Sequence, residues 1–123
     1  MEKDPLTDLV LKCAIEVHRH LGPGLLESAY EECLCFEFRN NGLNYERQKA
    51  LPVCYKDITL DCGYRIDLVV ETKLILELKT VEKLLPIHEA QLLTYLKLSG
   101  LQIGLLLNFN TPVLRDGIKR LVL

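Results

Sequence analysis

Two segments near the start of the chain repeat apolar residues at a helical period. The first has Asp4 where a cap is expected and Pro5 at the first helical position, and its apolar set is Leu6, Leu9, Val10, Cys13, Ile15 and Val17. The run from Leu21 to Gly24 should end this helix. The second segment extends from about Leu25 to Asn41, and Gly42 follows where a left-handed cap is usual. We therefore expect two consecutive helices.

From Tyr45 onward the apolar residues alternate with other residues, a pattern typical of strands. Leu51, Val53 and Tyr55 alternate, Lys56-Asp57 suits a turn, and residues 58–62 resume an extended pattern. This region predicts a hairpin.

A second pair of strands and a third helix follow. The strands are expected at Tyr64 to Val70 and Leu74 to Lys79, joined by the turn at residues 71–73. The helix is expected from about Ile87 to Ser99, closing on Gly100.

An apolar strand from Leu101 to Leu107 comes next, and the tail from Val113 to Leu123 should form a small hairpin or a bulged edge strand around Asp116-Gly117. A helix between two strands predicts a parallel crossover, which is nearly always right-handed. The predicted fold class is α/β, a mixed sheet flanked by helices in the order α-α-β-β-β-β-α-β-(β).

Length and composition indicate an ordinary globular protein. The chain has 123 residues, of which 49% are hydrophobic and 26% are charged. This length suits one domain, so we expect a single domain over residues 1–123. No stretch approaches the roughly 18 apolar residues of a membrane span, and the first residues lack the pattern of a signal peptide. We expect a cytoplasmic protein with no membrane partner.

Net charge and cysteine spacing exclude few classes of protein. A formal net charge of -2 neither indicates nor excludes nucleic-acid binding. The five cysteines form no C-x-x-C pair, so neither a zinc site nor a secreted disulfide framework is supported. Cys13, on an apolar helical stripe, is expected in the core.

The second strand pair collects charged residues on one face. Antiparallel register around residues 71–73 sets Asp67 opposite Glu77 and Arg65 opposite Lys79. Side-chain alternation places all four on one face of the pair. The opposite face is expected to be wholly apolar and consists of Ile66, Leu68, Val70, Leu74, Leu76 and Leu78.

Two facing carboxylates repel each other by roughly 1 kcal/mol or more near a protein surface, so they need a cation, a shared proton or water. Mg²⁺ and Mn²⁺ prefer oxygen ligands, which Asp67, Glu77 and the backbone carbonyl of Leu78 offer. Lys79, on the face of Glu77, would stabilise a phosphate or orient the attacking water. The alternative is a solvent-facing ladder in which Arg65 balances Asp67.

Three motifs carry a family resemblance. Asp67, followed ten residues later by Glu77-Leu78-Lys79, resembles the D…(D/E)xK signature of the PD-(D/E)XK nuclease superfamily, with Ile66 in place of its proline. Gly24 to Tyr30 fits G-x-x-E-x-x-Y, and Gln91 to Tyr95 fits Q-x-x-x-Y. Together the motifs resemble the small GxxExxY proteins, a branch of that superfamily, over about residues 15–122.

The resemblance implies a restriction-endonuclease-like core and a role for each matched residue. The implied catalytic set is Glu27, Asp67, Glu77, Lys79, Gln91 and Tyr95. Asp67 and Glu77, with the Leu78 carbonyl, would bind Mg²⁺ or Mn²⁺, and Lys79 would be the catalytic lysine. Glu27 would approach the metal through water. Gln91 and Tyr95 would support the site from the following helix.

Several of these residues also have ordinary explanations. An acid such as Glu27 complements the dipole at a helix N-terminus. Tyr95 suits a partly buried helix face with a satisfied hydroxyl. Tyr30 most simply packs against the sheet while its hydroxyl reaches a polar neighbour. His88 is either a surface residue or a phosphate contact.

Two functions from different classes follow. The first is a metal-dependent nuclease that hydrolyses phosphodiester bonds of DNA or RNA. The second is a non-catalytic module that keeps the nuclease scaffold and binds nucleic acid or a partner protein. A homodimer is compatible with either, because a domain this small leaves little chain to build a substrate groove. A metabolic enzyme with an acidic pocket lacks any cofactor motif.

Overall fold

Three helices flank a five-stranded mixed sheet in the computed structural model, which describes residues 4–123. The helices are α1 (Pro5–Leu21), α2 (Glu27–Asn40) and α3 (Pro86–Ser99). The strands are β1 (Tyr45–Ala50), β2 (Val53–Tyr55), β3 (Ile58–Leu60), β4 (Arg65–Val70), β5 (Leu74–Lys79), β6 (Ile103–Asn108) and β7 (Ile118–Val122). No helix in this part of the chain is long and apolar enough to cross a membrane.

The helix ends lie close to where the sequence predicts them. At the start of α1, Asp4 accepts hydrogen bonds from the Leu6 amide at 3.2 Å and the Thr7 hydroxyl at 2.7 Å. At the end of α3, Gly100 adopts the left-handed conformation with φ of 77°, which glycine reaches without steric cost. The predicted caps of these two helices are confirmed.

The sheet has the strand order β1-β4-β5-β6-β7. Strands β5 and β6 are parallel and are connected through α3, while the other neighbours are antiparallel. The predicted mixed sheet and parallel crossover are confirmed, and the architecture is consistent with a restriction-endonuclease-like core.

The strands before β4 differ from the sequence prediction. The turn at Lys56-Asp57 does join a hairpin, but β2 and β3 form a separate two-stranded sheet. Strand β1 leaves that hairpin and pairs with β4 instead. Pro52 lies between β1 and β2 and has no N–H to contribute to a ladder, so the extended segment divides there. Five strands therefore precede α3, and the predicted count of four is wrong.

The tail forms no hairpin. Residues Leu114–Gly117 make a short 3-10 helix, and β7 then pairs antiparallel with β6 at the edge of the sheet. Of the two predicted outcomes, the edge strand is the one observed, but its register with β6 runs without interruption from Ile118 to Val122, so the predicted bulge is wrong.

Two apolar clusters cover the faces of the sheet. The cluster against α1 and α2 includes Cys13, as predicted, and five residues of β4 and β5: Leu68, Val70, Leu74, Leu76 and Leu78. The cluster against α3 includes Val69, Ile75 and Ile66. The prediction that Ile66 shares the face of Leu68 is wrong. Asp67 belongs to the ladder of neither neighbouring strand, so regular alternation stops there.

Candidate functional site

The ladder between β4 and β5 opens at the predicted carboxylate pair. Backbone pairing follows the predicted register from Val70 to Leu68 and then ends. Beyond it, the amide of Asp67 donates to Oε2 of Glu77 at 2.9 Å, and the amide of Leu78 donates to Oδ2 of Asp67 at 2.8 Å. Each carboxylate therefore binds the backbone of the opposite strand. These crossed bonds hold the two acids side by side.

Arg65 does not join this pair. Its side chain donates to the carbonyl of Tyr64 at 3.0 Å, and its residue pairs with Ala50 of β1 rather than with Lys79. Because the β4–β5 ladder has already opened, the prediction that Arg65 lies opposite Lys79 is wrong. The surface ladder in which Arg65 balances Asp67 is not formed.

Burial makes the acid pair electrostatically costly. Glu77 is only 4% exposed. Burial, followed by the charge of Asp67, raises the pKa of Glu77 from 4.5 to about 8. Burial also raises the pKa of Asp67. Without a cation, a proton held by Glu77 would offset the repulsion near neutral pH.

Glu27 and Lys79 extend the cluster from two other positions. Glu27 opens α2, and Lys79 ends β5. Partial burial and the charge of Asp67 raise the pKa of Glu27, while Lys79 opposes that change. Lys79 likewise favours the charged forms of Asp67 and Glu77. The site thus combines three acids with one lysine that partly balances them.

Helix α3 contributes an amide and a phenol. The Lys79 ammonium approaches Oε1 of Gln91 at 3.5 Å, a long contact, and Nε2 of Gln91 donates to the Tyr95 hydroxyl at 3.2 Å. Burial, followed by the charge of Glu77, raises the pKa of Tyr95. This chain of contacts connects α3 to the end of β5.

His88 contacts the start of α3 and not the acid pair. Its Nδ1 accepts a hydrogen bond from the Leu85 amide at 2.9 Å, which satisfies a donor at the start of α3. We therefore assign His88 to the helix start rather than to the site.

Two polar residues that the sequence patterns do not single out adjoin the acid pair, Gln48 by a direct bond to Asp67 and Glu31 through Gln48. Gln48 of β1 donates from Nε2 to Oδ1 of Asp67 at 3.3 Å and to Oε1 of Glu31 at 2.8 Å. Glu31 also binds Arg47 at 2.9 Å. Gln48 has φ of 47°, a left-handed conformation rare for a strand residue, and it interrupts the β1–β4 ladder opposite Asp67. In the sequence, the four-residue spacing of Glu27 and Glu31 puts both acids on one face of the helix, and this spacing is the signal that could have identified Glu31.

Tyr30 holds the loop that leads to Glu27. Its hydroxyl donates to the Gly22 carbonyl at 2.6 Å and accepts from the Leu25 amide at 3.1 Å. Its buried ring stacks on Phe109 with centroids 4.5 Å apart. The predicted packing role of Tyr30 is confirmed, and the two bonds fix the point at which α2 begins.

The donor set fits a small divalent cation that keeps several waters. Among residues 4–123, no hydrogen bond occupies Oε1 of Glu77, and the bond to Oδ1 of Asp67 is long. The N–H and C=O of a strand residue point to the same neighbour, so the Leu78 carbonyl also faces the opened side of β4. The same residues contain no ready-made cluster of three acidic, histidine or cysteine ligands. Mg²⁺ often needs only one or two carboxylates.

One of three comparisons with known proteins finds a match. Neither the curated proteins nor the solved structures contain a match to the chain. The family model described as PD-(D/E)XK nuclease superfamily matches residues 4–121, which spans every element that forms the site. The chain belongs to the PD-(D/E)XK nuclease superfamily.

Proposed function

We propose that this protein is a nuclease of the GxxExxY branch that uses Mg²⁺ or Mn²⁺ to hydrolyse phosphodiester bonds of DNA or RNA. The observation that carries the proposal is the buried Asp67–Glu77 pair, held together by crossed bonds to the opposite strands. Two charged acids so placed repel each other, and a divalent cation bound between them would offset that repulsion.

Asp67, Glu77 and the carbonyl of Leu78 would hold the cation. When bound, the cation would lower the pKa of a water ligand and neutralise charge on the phosphate. Lys79 would stabilise the charge that develops on the phosphate oxygens as water adds and the P–O bond breaks. Glu27 would bind a water of the cation or accept the proton of the attacking water.

Gln91 and Tyr95 would act through Lys79. The Gln91 side chain lies between the ammonium and the phenol, at 3.5 Å and 3.2 Å. A lysine with four rotatable bonds needs such a neighbour to hold it in one geometry, because misplacement by about 1 Å can cost roughly 100-fold in rate. Gln48 would position Asp67 in the same way from β1.

Cleavage of labelled DNA and RNA tests the proposal. With Mn²⁺ or Mg²⁺, the wild-type protein should cleave, whereas Glu77→Ala and Lys79→Ala should lose cleavage and remain folded. Lys97→Ala, which changes an exposed lysine near the end of α3, is the matched control and should cleave normally. Equal cleavage by the wild type and both site variants would overturn the assignment.

One observation favours the alternative, a module without catalysis. The acid pair already satisfies two backbone amides, so it also has a purely structural use. Calorimetry with Mn²⁺ separates the two functions. Binding that Asp67→Asn removes supports the nuclease, whereas a folded protein that binds no Mn²⁺ supports the module.

We further propose that residues 1–123 form one domain and that the protein acts in the cytoplasm. All five cysteines are free thiols in the structure, which suits a reducing compartment. A second copy of the chain or another protein would complete the substrate groove.

A further inference from the structure

An exposed tyrosine lies beside the site and has no role in the proposed chemistry. Tyr64 is 46% exposed, while its neighbour Tyr95 is only 6% exposed. The two rings meet edge to face, with centroids 6.4 Å apart and planes at 64°. Tyr95 connects through Gln91 to Lys79. Tyr64 is therefore the outermost member of a row of side chains that ends at the proposed catalytic lysine.

The backbone of Tyr64 is well anchored. Its carbonyl accepts a hydrogen bond from the Leu51 amide at 3.0 Å and another from Nη1 of Arg65 at 3.0 Å. Leu51 is itself buried in the cluster under α3, together with Tyr95. An aromatic ring fixed in this way loses little conformational entropy when a ligand covers it.

Electrostatic attraction between the protein and the phosphates of a nucleic acid would contribute little to binding at this site. The protein has a formal net charge of -2, and the site gathers the acids Glu27, Glu31, Asp67 and Glu77. Arg65 adjoins Tyr64, and its ion pair is a long one, 3.9 Å from the exposed Asp61. An exposed aromatic ring with a cationic residue beside it in the chain suits single-stranded nucleic acids, because bases stack on the ring and the cation attracts the backbone.

We propose that Tyr64 is a stacking platform for an unpaired nucleobase, and that the substrate is a single strand or an unpaired segment of DNA or RNA. This inference rests on the proposed nuclease function and names its substrate class. The base would lie on Tyr64 while its phosphodiester lies at Lys79. A base inside a duplex has both faces covered by its neighbours, whereas an unpaired base can leave one face for an aromatic ring.

The chain offers a direct test because it contains no tryptophan. Tyr64→Trp introduces a single tryptophan, which can be excited selectively and which a stacked base should quench. Tyr55→Trp places the same fluorophore on the separate hairpin, at a side chain that is 58% exposed, and serves as the control. The probes are DNA and RNA strands of about twelve nucleotides, the matching duplex, and a strand with abasic sites, all without a divalent cation. Anisotropy of a label on the strand measures binding independently.

Three results together support the platform. The single strand should quench Tyr64→Trp, the duplex and the abasic strand should quench it less, and no strand should quench Tyr55→Trp. Strand binding without quenching overturns it. If no strand binds, the platform fails, and cleavage by the wild type with Mn²⁺ decides the nuclease proposal separately. If the strand quenches Tyr64→Trp and the wild type cleaves nothing with Mn²⁺, the platform stands and the hydrolysis proposal fails.

Two further variants separate stacking from a structural role. Tyr64→Ser should weaken single-strand binding about 5- to 150-fold and leave duplex binding unchanged, because base stacking on an aromatic ring has that magnitude. Tyr64→Phe should restore single-strand binding. Equal losses for single strand and duplex would contradict the proposal and indicate that Tyr64 only supports Tyr95.

Discussion

Replacing Glu77 with glutamine should stabilise the metal-free protein at neutral and alkaline pH. Glutamine keeps the shape of the side chain and an oxygen that can accept from the Asp67 amide, but it removes the charge buried beside Asp67. The pKa of Glu77 rises from 4.5 to about 8 on folding, so the folded state binds the proton more tightly than the unfolded state does.

The two pKa values give the direction and the magnitude of the change in unfolding free energy. Below pH 4.5, Glu77 is protonated in both states and costs nothing. Between pH 4.5 and about 8, only the unfolded state releases the proton, so stability falls by about 1.4 kcal/mol per pH unit. The cost reaches about 3 kcal/mol at pH 7 and about 5 kcal/mol above pH 8. Glu77→Gln should recover most of it.

Urea unfolding followed by circular dichroism, in EDTA at about pH 5, 7 and 9, measures this difference. The advantage of Glu77→Gln over the wild type should be small at the lowest pH and grow at each step. Glu82→Gln changes an exposed glutamate and should differ from the wild type by less than about 0.5 kcal/mol throughout. With Mn²⁺ in place of EDTA, at about 100 times its Kd, the wild type and Glu82→Gln should each gain about 2.7 kcal/mol, whereas Glu77→Gln should not.

A constant difference across this pH range would refute the reasoning, because only titration of Glu77 makes the difference grow. Destabilisation by Glu77→Gln at every pH would refute it more strongly. That outcome would mean that the charged carboxylate, and not merely an oxygen acceptor, stabilises the opened ladder.

Three further changes test the structural account. Thr72 has φ of 53° in the turn between β4 and β5, so Thr72→Gly should raise stability by about 1 kcal/mol and Tm by about 4 °C, and an unchanged or lower Tm in calorimetry would contradict this. A methyl group on Gly117 would overlap the Asn108 carbonyl oxygen, so Gly117→Ala should lower stability by about 1–3 kcal/mol in urea unfolding. Tyr30→Phe removes both bonds to the loop before Glu27, so it should cost about 1–3 kcal/mol and lower the cleavage rate, and full activity would argue that the loop does not position Glu27.

Periodicity predicts the regular elements well, because each depends mainly on neighbours in sequence. Helix α1 begins and ends on local signals, the Asp4 cap and Gly22. Periodicity does not predict which strand pairs with which. The pairing of β1 with β4 joins residues about twenty positions apart, and only the break at Pro52 hinted that β1 would leave the hairpin.

Motif spacing locates the residues of the candidate site for a physical reason. A short turn sets the register of β4 and β5, and register alone brings Asp67 close to Glu77. The crossed bonds to the backbone do not follow from register, since they require the ladder to open. The opened ladder also explains why the predicted face of Ile66 and the predicted partner of Arg65 are wrong.

Gln48 and Glu31 escape prediction because their meeting depends on tertiary structure. They come from β1 and α2, and Gln48 donates to both Glu31 and Asp67 of β4. Nothing in the residue type of glutamine signals a left-handed conformation within a strand. Such strain commonly occurs at functional sites, and here it turns the Gln48 side chain towards both acids.

Anomalous scattering from a crystal of the protein soaked in manganese chloride tests most directly whether the two acids share one cation. We predict a single strong peak between the side chains of Asp67 and Glu77, about 2 Å from an oxygen of each, with waters completing the shell. In a crystal of Asp67→Asn, the peak should disappear. A wild-type crystal with no peak there, or with manganese bound only at other acids, would contradict the account.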